Sequence, residues 1–278
     1  MTGQPENVTR RMKRLIDAIH LVAYQAAEPN AALEALGLRH NYWDGYFAGR
    51  AAPLGRAPAE VVHAVFYNFA DGEVARHIPR VWSRTTPEAA LAARERGCAT
   101  AVRRILGDLA DSPGVGRAAD LALKAASGAP TEARPLFAGL RSLPVPEEPV
   151  ARLWHAATLL REYRGDGHNI ALAAAAIGGT ESHMLRALAD GCPPLEDGRI
   201  SHLPRPRLAA VIDGLRARGI VDAADGFTDA GRELRERIEV VTDELDAPAY
   251  EHLQPGELDR LFADLEPIAA VLTAADSR

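Results

Sequence analysis

Apolar side chains recur at helical spacing along most of the chain. Leu15 and Ile19 fall on one helical face near the N-terminus, and a second such face begins at Val150. Thr86 before Pro87 places a capping hydroxyl ahead of a proline in the first helical turn, which predicts a helix beginning there. The pattern therefore predicts an all-α, mainly helical protein.

The clearest pattern lies in residues 204–245. A helix with apolar residues at i, i+3, i+4 and i+7 ends at Gly219, two strand-like pieces flank an acidic turn, and Thr228 begins another helix. The apolar residues are Leu208, Val211, Ile212 and Leu215 in the first helix, and Leu234, Ile238, Val241 and Leu245 in the second. The strand-like pieces predict a small β-hairpin wing between the helices.

Five prolines fall within residues 128–149. Such an interval favours a junction between domains. We therefore predict an N-terminal helical domain over residues 1–145, holding a small-molecule pocket, and a second domain over residues 150–278.

The second domain resembles the C-terminal half of a MarR-type winged-helix regulator over about residues 204–265. The resemblance rests on LAAVIDGLRARGIV at 208–221 and FTDAGREL at 227–234. It implies a recognition helix, a wing and a long dimerisation helix, hence double-stranded DNA as a partner and a homodimer. The whole chain also resembles a winged-helix-containing family of unassigned activity from GC-rich bacteria, through YFAGR at 46–50, VARHIP at 74–79 and REYRGDGH at 161–168. That second resemblance implies architecture and no reaction.

Charge both limits and supports a DNA-binding interpretation. The formal net charge of −6 argues against a general nucleic-acid coat protein, and the acidic turn at 222–225 would repel phosphates. Residues 199–220, however, carry five arginines and one acid. Arg205 and Arg207 fall at the expected start of the recognition helix, where helix-turn-helix proteins meet DNA. In a second register over residues 170–191, His183 and Arg186 would face outward as DNA contacts.

A polar run at residues 164–168 interrupts the helical pattern, and its two glycines predict a break in the helix. Asp166 and His168 could form a general acid/base pair, with the carboxylate orienting the imidazole. Alternatively, an anion could lie against the helix N-terminus, or Asp166 could be only a helix cap.

An aromatic tract at residues 42–55 stands out because the chain contains only 5% aromatic residues. Arg50 between two small residues could clamp a carboxylate or phosphate, with Tyr46 in a stacking wall. Alternatively, the aromatics fill a core that the many alanines leave short, and Arg50 pairs with an acid.

No recognised metal-ligand spacing, nucleophile motif or dinucleotide fingerprint occurs, so we expect no metal site and no cofactor. The two cysteines, Cys98 and Cys192, are too few for a disulfide framework. No apolar run is long enough to span a membrane and residues 1–14 are polar, so we expect a cytoplasmic protein.

The sequence therefore favours a ligand-responsive DNA-binding regulator. The alternative is a cofactor-independent acid/base enzyme acting on a small organic substrate, with His168 and Asp166 at its site. In both cases we expect a small-molecule pocket. If His168 lines it and Arg50 or Arg76 reaches it from the N-terminal domain, the pocket lies at the domain junction. The candidate ligand-binding residues are Tyr46, Arg50, Asn68, Arg76, His77 and Arg164.

Overall fold

A computed structural model describes residues 7–38, 42–192 and 203–276, within which lie thirteen α-helices. The first eight helices are α1 (Val8–His20), α2 (Val22–Gln25), α3 (Ala27–Glu34), α4 (Tyr42–Ala51), α5 (Ala59–Val65), α6 (Pro87–Leu106), α7 (Pro113–Gly128) and α8 (Pro135–Arg141). The remaining helices are α9 (Pro149–Ala174), α10 (Gly179–Ala189), α11 (Arg205–Ala217), α12 (Asp229–Asp246) and α13 (Pro255–Asp276). The prediction of an all-α protein is confirmed.

Local capping signals set several helix ends where the sequence predicts them. The Thr86 hydroxyl accepts a hydrogen bond from the Ala89 N–H at 3.2 Å, and α6 begins at the next residue, Pro87. The Thr228 hydroxyl likewise accepts from the Gly231 N–H at 2.9 Å at the start of α12. Both hydroxyls satisfy backbone donors that the first helical turn leaves without a partner.

The predicted β-hairpin wing is wrong, because the described part of the chain contains no strand. A single antiparallel bridge pairs Val221 with Phe227 between α11 and α12. The Asp222 carboxylate accepts hydrogen bonds from the turn N–H groups of Ala224 and Gly226, at 2.8 and 2.9 Å. Because α11 ends shortly before Val221 and α12 begins shortly after Phe227, too few residues flank the bridge for a β-ladder to form.

The predicted helix break at residues 164–168 is also wrong, since α9 runs without interruption from Pro149 to Ala174. A Cβ atom at position 167 would lie 2.8 Å from Arg134 Nη1 and 3.4 Å from Leu245 Cβ. Gly167 therefore allows Arg134 and α12 to approach α9 closely, and its absent side chain serves packing.

Buried apolar residues form two clusters, and α9 contributes to both. The main cluster contains residues of helices α1 through α8, of the N-terminal part of α9 and of α13. The second cluster joins the end of α9 to α10, α11, α12 and the turn between α11 and α12. We call the elements around the second cluster the C-terminal unit. The predicted boundary between two domains at residues 145–150 is a statement about parts that fold independently, and it stays a prediction.

A connecting segment, residues 66–73, ties the main cluster to the C-terminal unit. The Tyr67 hydroxyl donates to the Ile177 carbonyl at 2.6 Å, and the Ser182 hydroxyl donates to Asn68 Oδ1 at 3.3 Å. Phe69 belongs to the main cluster, whereas its neighbour Ala70 belongs to the second. This segment therefore fixes how the C-terminal unit lies against the rest of the chain.

Candidate nucleic-acid interface and adjoining cleft

One face of α11 is packed and the other is exposed. Leu208 and Leu215 are buried in the second cluster, with Val211 and Ile212 packed against it. The exposed residues of the helix and its N-terminal flank are Pro204, Arg205, Pro206, Arg207, Ala209, Ala210, Asp213 and Ala217. The helix ends ahead of Gly219, whose φ of +67° is a left-handed conformation that glycine adopts readily. This amphipathic arrangement presents the N-terminal turn of α11 to solvent.

Most arginines near α11 are paired with carboxylates of the same chain. Arg207 Nη2 lies 2.7 Å from Asp71 Oδ2 of the connecting segment, and Arg218 Nη1 lies 3.1 Å from Glu181 Oε1. Arg216 contacts two acids of its own surroundings, Asp213 and Asp225. Arg205 makes no hydrogen bond or ion pair with the described part of the chain. Arg199, which contributes to the local positive charge of the sequence, lies outside the described residues.

The second candidate helix-turn-helix, residues 170–191, has the expected shape. One of its two predicted DNA contacts, however, points inward. Only residues 175–178 separate α9 from α10, which is typical of a compact helix-turn-helix. Arg186 is exposed and lies 3.5 Å from Asp190. His183 is 1% exposed, and its ring lies edge-on to Phe69 with centroids 6.4 Å apart. The prediction that His183 faces outward is therefore wrong, because the connecting segment covers that side of α10.

Asp166 and His168 do not contact one another. Residues two apart on a helix point in nearly opposite directions, and α9 is continuous here. The Asp166 carboxylate accepts hydrogen bonds from the Leu136 and Phe137 N–H groups at 3.1 and 3.0 Å, so it caps the start of α8. His168 Nδ1 lies 3.0 Å from the Thr242 hydroxyl of α12, and burial lowers the pKa of its imidazole. The predicted acid/base geometry is thus not formed.

The burial of Asp166 predicts a pH-dependent stability. Burial raises the pKa of Asp166 from 3.8 to about 7, although the Phe137 N–H acts in the opposite direction. Because the folded state holds this proton more tightly than the unfolded state, the contribution is complete below pH 3.8 and disappears as the pH rises through 7. The amide oxygen of Asp166→Asn still accepts both hydrogen bonds. We expect the free energy of unfolding of this variant to decrease less with rising pH than that of the wild type. The difference is about 1.4 kcal/mol for each unit by which burial raises the pKa of Asp166.

Urea unfolding of the wild type and Asp166→Asn at four values between pH 4 and pH 8 measures this effect. Asp120→Asn is the matched control, because the Asp120 side chain is 65% exposed. An Asp166→Asn variant less stable than the wild type at pH 8 would show that an ionised Asp166 stabilises the fold, contrary to the prediction.

Arg50 is engaged by a carboxylate that the sequence does not single out. Arg50 Nε and Nη2 donate to the two oxygens of Glu162 in α9, at 3.1 and 2.9 Å, and Nη1 donates to the Tyr46 hydroxyl at 3.0 Å. The guanidinium also lies over the Phe66 ring, 4.5 Å from its centroid. Arg50 and Tyr46 lie together around a carboxylate of the protein itself, which is the arrangement of the alternative in which Arg50 pairs with an acid. Glu162 stands between Arg161 and Arg164 in the sequence of α9, and no local pattern marks it as the partner of Arg50.

The predicted ligand residues of the connecting segment and the turns after it join a different network. His77 is buried, with Nδ1 2.7 Å from Asp44 Oδ1 and Nε2 3.4 Å from Glu73 Oε1. Arg76 Nη1 donates to Glu73 Oε2 at 2.9 Å, whereas Asn68 accepts from α10 as described above. The contact between His77 and Asp44 holds the segment after α5 against α4.

A cleft of about 440 Å³ opens between α1, α9 and the first half of α12. We call it the α1–α12 cleft. Its lining residues are Arg10, Lys13, Arg14, Arg164, Phe227, Arg232, Arg235, Glu236 and Glu239. Of the predicted ligand-binding residues, Arg164 is the one that reaches it. The sequence did not point to the other lining residues of the cleft, because α1 and α12 are more than two hundred residues apart in sequence.

Arg164 anchors the floor of this cleft through three carboxylates of α12. Its Nη2 lies 2.9 Å from Asp243 and 3.3 Å from Glu239, and its Nη1 lies 3.4 Å from Asp246. Burial works against the charge of Arg164, but these carboxylates raise its pKa above the ordinary value. The guanidinium is therefore a permanent cation that fixes α12 to α9.

Within the ranges that the structure covers, no helix is long and apolar enough to cross a membrane. Comparison with curated proteins and with solved structures found no match. A family model described as a helix-turn-helix family matches residues 9–277. Such membership indicates a DNA-binding regulator in general terms. With its short α9–α10 turn and its exposed α11, the chain belongs to this helix-turn-helix family.

Proposed function

We propose that this protein is a DNA-binding transcriptional regulator that places the N-terminal turn of α11 against double-stranded DNA. The observation that carries the proposal is the exposure of Arg205 and Arg207 at that turn, on a helix whose opposite face is packed. Recognition helices meet base edges and phosphates through their N-terminal residues. Family membership supports the proposal, and so does the order of helices in the MarR-type resemblance.

The charges around α11 limit how tightly this surface holds DNA. Arg207 exchanges Asp71 for a phosphate when DNA binds, and the turn between α11 and α12 presents the acids Asp222 and Asp225. Cations already neutralised by the chain release less free energy on binding phosphates, because the existing ion pairs must first be broken. We therefore expect binding to be weak, and to tighten when Asp71 is removed.

The test is an anisotropy titration of labelled duplex DNA at several salt concentrations. Changing both Arg205 and Arg207 to alanine is expected to weaken binding to all sequences alike. It should also reduce the slope of log K against log salt by roughly two, about 0.9 for each lost phosphate contact. Asp71→Asn is expected to act in the opposite sense and tighten binding, because it frees Arg207.

Arg103 and Arg104 on α6 supply the matched control, since both are exposed and both pair with carboxylates. Their double alanine variant carries the same change of charge and should bind DNA as the wild type does. If the wild type shows no binding at roughly 100 µM protein in low salt, where non-specific binders still register, the regulator proposal is abandoned.

We further propose a homodimer formed along α12. Within one chain Ile238 is buried and Leu234 packs against the second cluster, whereas Val240 and Val241 are 42% and 39% exposed. Two adjacent exposed valines on a long helix support a partner surface. Light scattering should give twice the chain mass of 29.8 kDa, and Val241→Glu should reduce it to one chain. A wild-type mass of one chain at tens of micromolar overturns the dimer.

A further inference from the structure

We propose that the carboxyl group of Asp246 makes the packing of α12 on α9 sensitive to pH. With a proton on this group the C-terminal turn of α12 closes on α9, and without the proton the turn is repelled. The packing involves Arg164 of α9 and three acids of α12, Glu239, Asp243 and Asp246, which together we call the α9–α12 contact. The closing of this contact is independent of DNA, whereas its effect on DNA binding rests on the proposed function.

The α9–α12 contact contains more acids than cations. Its three carboxyl groups surround the single guanidinium of Arg164, which balances the charge of only one of them. Asp243 receives a second cation from α1, because Arg10 Nε lies 2.6 Å from its Oδ2, but Arg10 also pairs with Glu236 at 2.7 Å. Carboxyl groups that lie close together and share too few cations disfavour ionisation of all their members. The excess of acids therefore favours a proton on one of the three.

Asp246 is the member least able to carry a negative charge. It is 1% exposed, its Oδ2 lies 3.4 Å from Arg164, and its Oδ1 has no hydrogen-bond partner in the part of the chain that the structure describes. It is also the last residue of α12, where the free carbonyl groups of a helix present partial negative charge. Asp243 lies one helical turn before it, and like charges at this spacing repel one another. A neutral carboxyl group is disfavoured far less at such a buried position than a carboxylate.

The other groups that face Asp246 do not form a second ion pair with it. Arg134, the residue before α8, approaches the same end of α12, but its guanidinium donates to the backbone carbonyls of Tyr163 and Leu245. The phenols of Tyr163 and Tyr250 also face Asp246, and burial raises the pKa of both phenols, so that they remain neutral. The charge of Asp246 is thus opposed by Arg164 at close range and by Arg134 at longer range.

The direction of the pH effect follows from this burial. Burial raises the pKa of Asp246 from 3.8 to about 7, although Arg164 acts in the opposite direction. Because the folded value lies above the unfolded value, the contribution to stability is complete below pH 3.8 and disappears as the pH rises through 7. The α9–α12 contact therefore closes in mildly acidic solution and loosens in mildly alkaline solution.

The position of the contact explains how a proton acts on DNA binding. The helix α12 follows the turn that leads out of α11, and Asp243 also joins α12 to α1 through Asn7 and Arg10. Only the closed arrangement buries Asp246, so its proton favours one placement of the C-terminal unit over others. A unit that is no longer held in place must be ordered again when DNA binds, which costs affinity. We therefore expect DNA affinity to decrease as the pH rises from 6 to 8.

Hydrogen-exchange mass spectrometry of the free protein at pH 6 and pH 8, with rates corrected for the intrinsic effect of pH, tests the contact. In the wild type, the protection of peptides covering residues 239–246 should fall about tenfold at pH 8, the effect of one group with a pKa of about 7. Asp246→Asn has the shape of the neutral carboxyl group and should be equally protected at both pH values. Glu244→Gln is the matched control, because Glu244 is exposed on the same turn of α12, and it should behave as the wild type does. Peptides of α8 report separately on Asp166, which caps that helix.

Equal loss of protection in the wild type and in Asp246→Asn overturns the inference, and so does a wild type that is equally protected at both pH values. If Asp246→Asn does not fold, nuclear magnetic resonance titration of the Asp246 carboxyl carbon in the wild type decides. A midpoint near 7 supports the inference, and a midpoint near the ordinary 3.8 overturns it.

Repeating the DNA titration at pH 6 and pH 8 with the wild type and Asp246→Asn then tests the effect on DNA binding. The affinity of Asp246→Asn should decrease less between the two pH values than that of the wild type. An equal decrease in both proteins overturns the effect on DNA binding. Because the exchange experiment contains no DNA, its result is independent of the proposed function. Absence of DNA binding at both pH values overturns the proposed function and leaves the α9–α12 contact standing.

Discussion

Glu162→Ala is expected to lower the free energy of unfolding by about 3–5 kcal/mol, the usual result of removing one partner from a buried ion pair. Glu162 is 2% exposed and accepts two hydrogen bonds from Arg50. Without the carboxylate, the Arg50 guanidinium stays enclosed by Phe66 and Tyr46 with no negative charge to balance it. The loss is large because the pair links α4 to the middle of α9, inside the main cluster.

Urea denaturation at pH 7 measures this loss. A double variant, Arg50→Met with Glu162→Leu, removes both charges and should recover most of the stability, because apolar residues of similar size often replace a buried pair without penalty. Arg237→Gln, which breaks an exposed pair with Glu233, should leave the stability nearly unchanged. A single Glu162→Ala variant as stable as the wild type would contradict the buried ion pair.

The same pair predicts sensitivity to acid. Burial alone would raise the pKa of Glu162, but the Arg50 guanidinium holds it well below its ordinary value. A lowered pKa in the folded state contributes stability that is complete above the unfolded value near 4.5 and is lost as the pH falls toward the folded value. This contribution has the opposite sign to that of Asp166.

Gly179→Ala is expected to destabilise the protein by about 3 kcal/mol, at the upper end of the effects of overpacking. Gly179 is the first residue of α10, and a Cβ atom there would lie 1.9 Å from the Tyr67 carbonyl oxygen. Because the obstacle is backbone, a side-chain rotation cannot relieve the contact. The connecting segment would have to move away from α10, which removes the hydrogen bonds from Tyr67 to Ile177 and from Ser182 to Asn68.

Gly214→Ala is the matched control for Gly179→Ala. Gly214 also lies in a helix of the C-terminal unit, but no atom outside its own surroundings lies within 4 Å of its Cβ position. Alanine there should stabilise α11 by up to about 1 kcal/mol through its higher helix propensity. Urea denaturation of both variants makes the comparison. Equal stability of the two variants would show that the connecting segment does not pack on α10 as described.

The sequence by itself determined the helical class and several helix ends. The caps at Thr86 and Thr228 and the stop at Gly219 act through hydrogen bonds and backbone conformations within a few residues. The packed face of α11 could also be predicted from the sequence, because apolar residues at helical spacing face a core whatever residues that core contains. Exposure of Arg205 and Arg207 follows from the same spacing.

Only the tertiary structure decided what the polar residues do. Arg50 met Glu162 across 112 positions, Asp166 capped a different helix, and His183 was covered by the connecting segment. Gly167 allows Arg134 to pack closely against α9, whereas the local sequence predicted a break in the helix at that position. The cations of the α1–α12 cleft likewise converge from opposite ends of the chain. Periodicity reports which face of a helix is apolar, whereas the partner of a charged side chain depends on which distant helix packs beside it, and no local pattern encodes that choice.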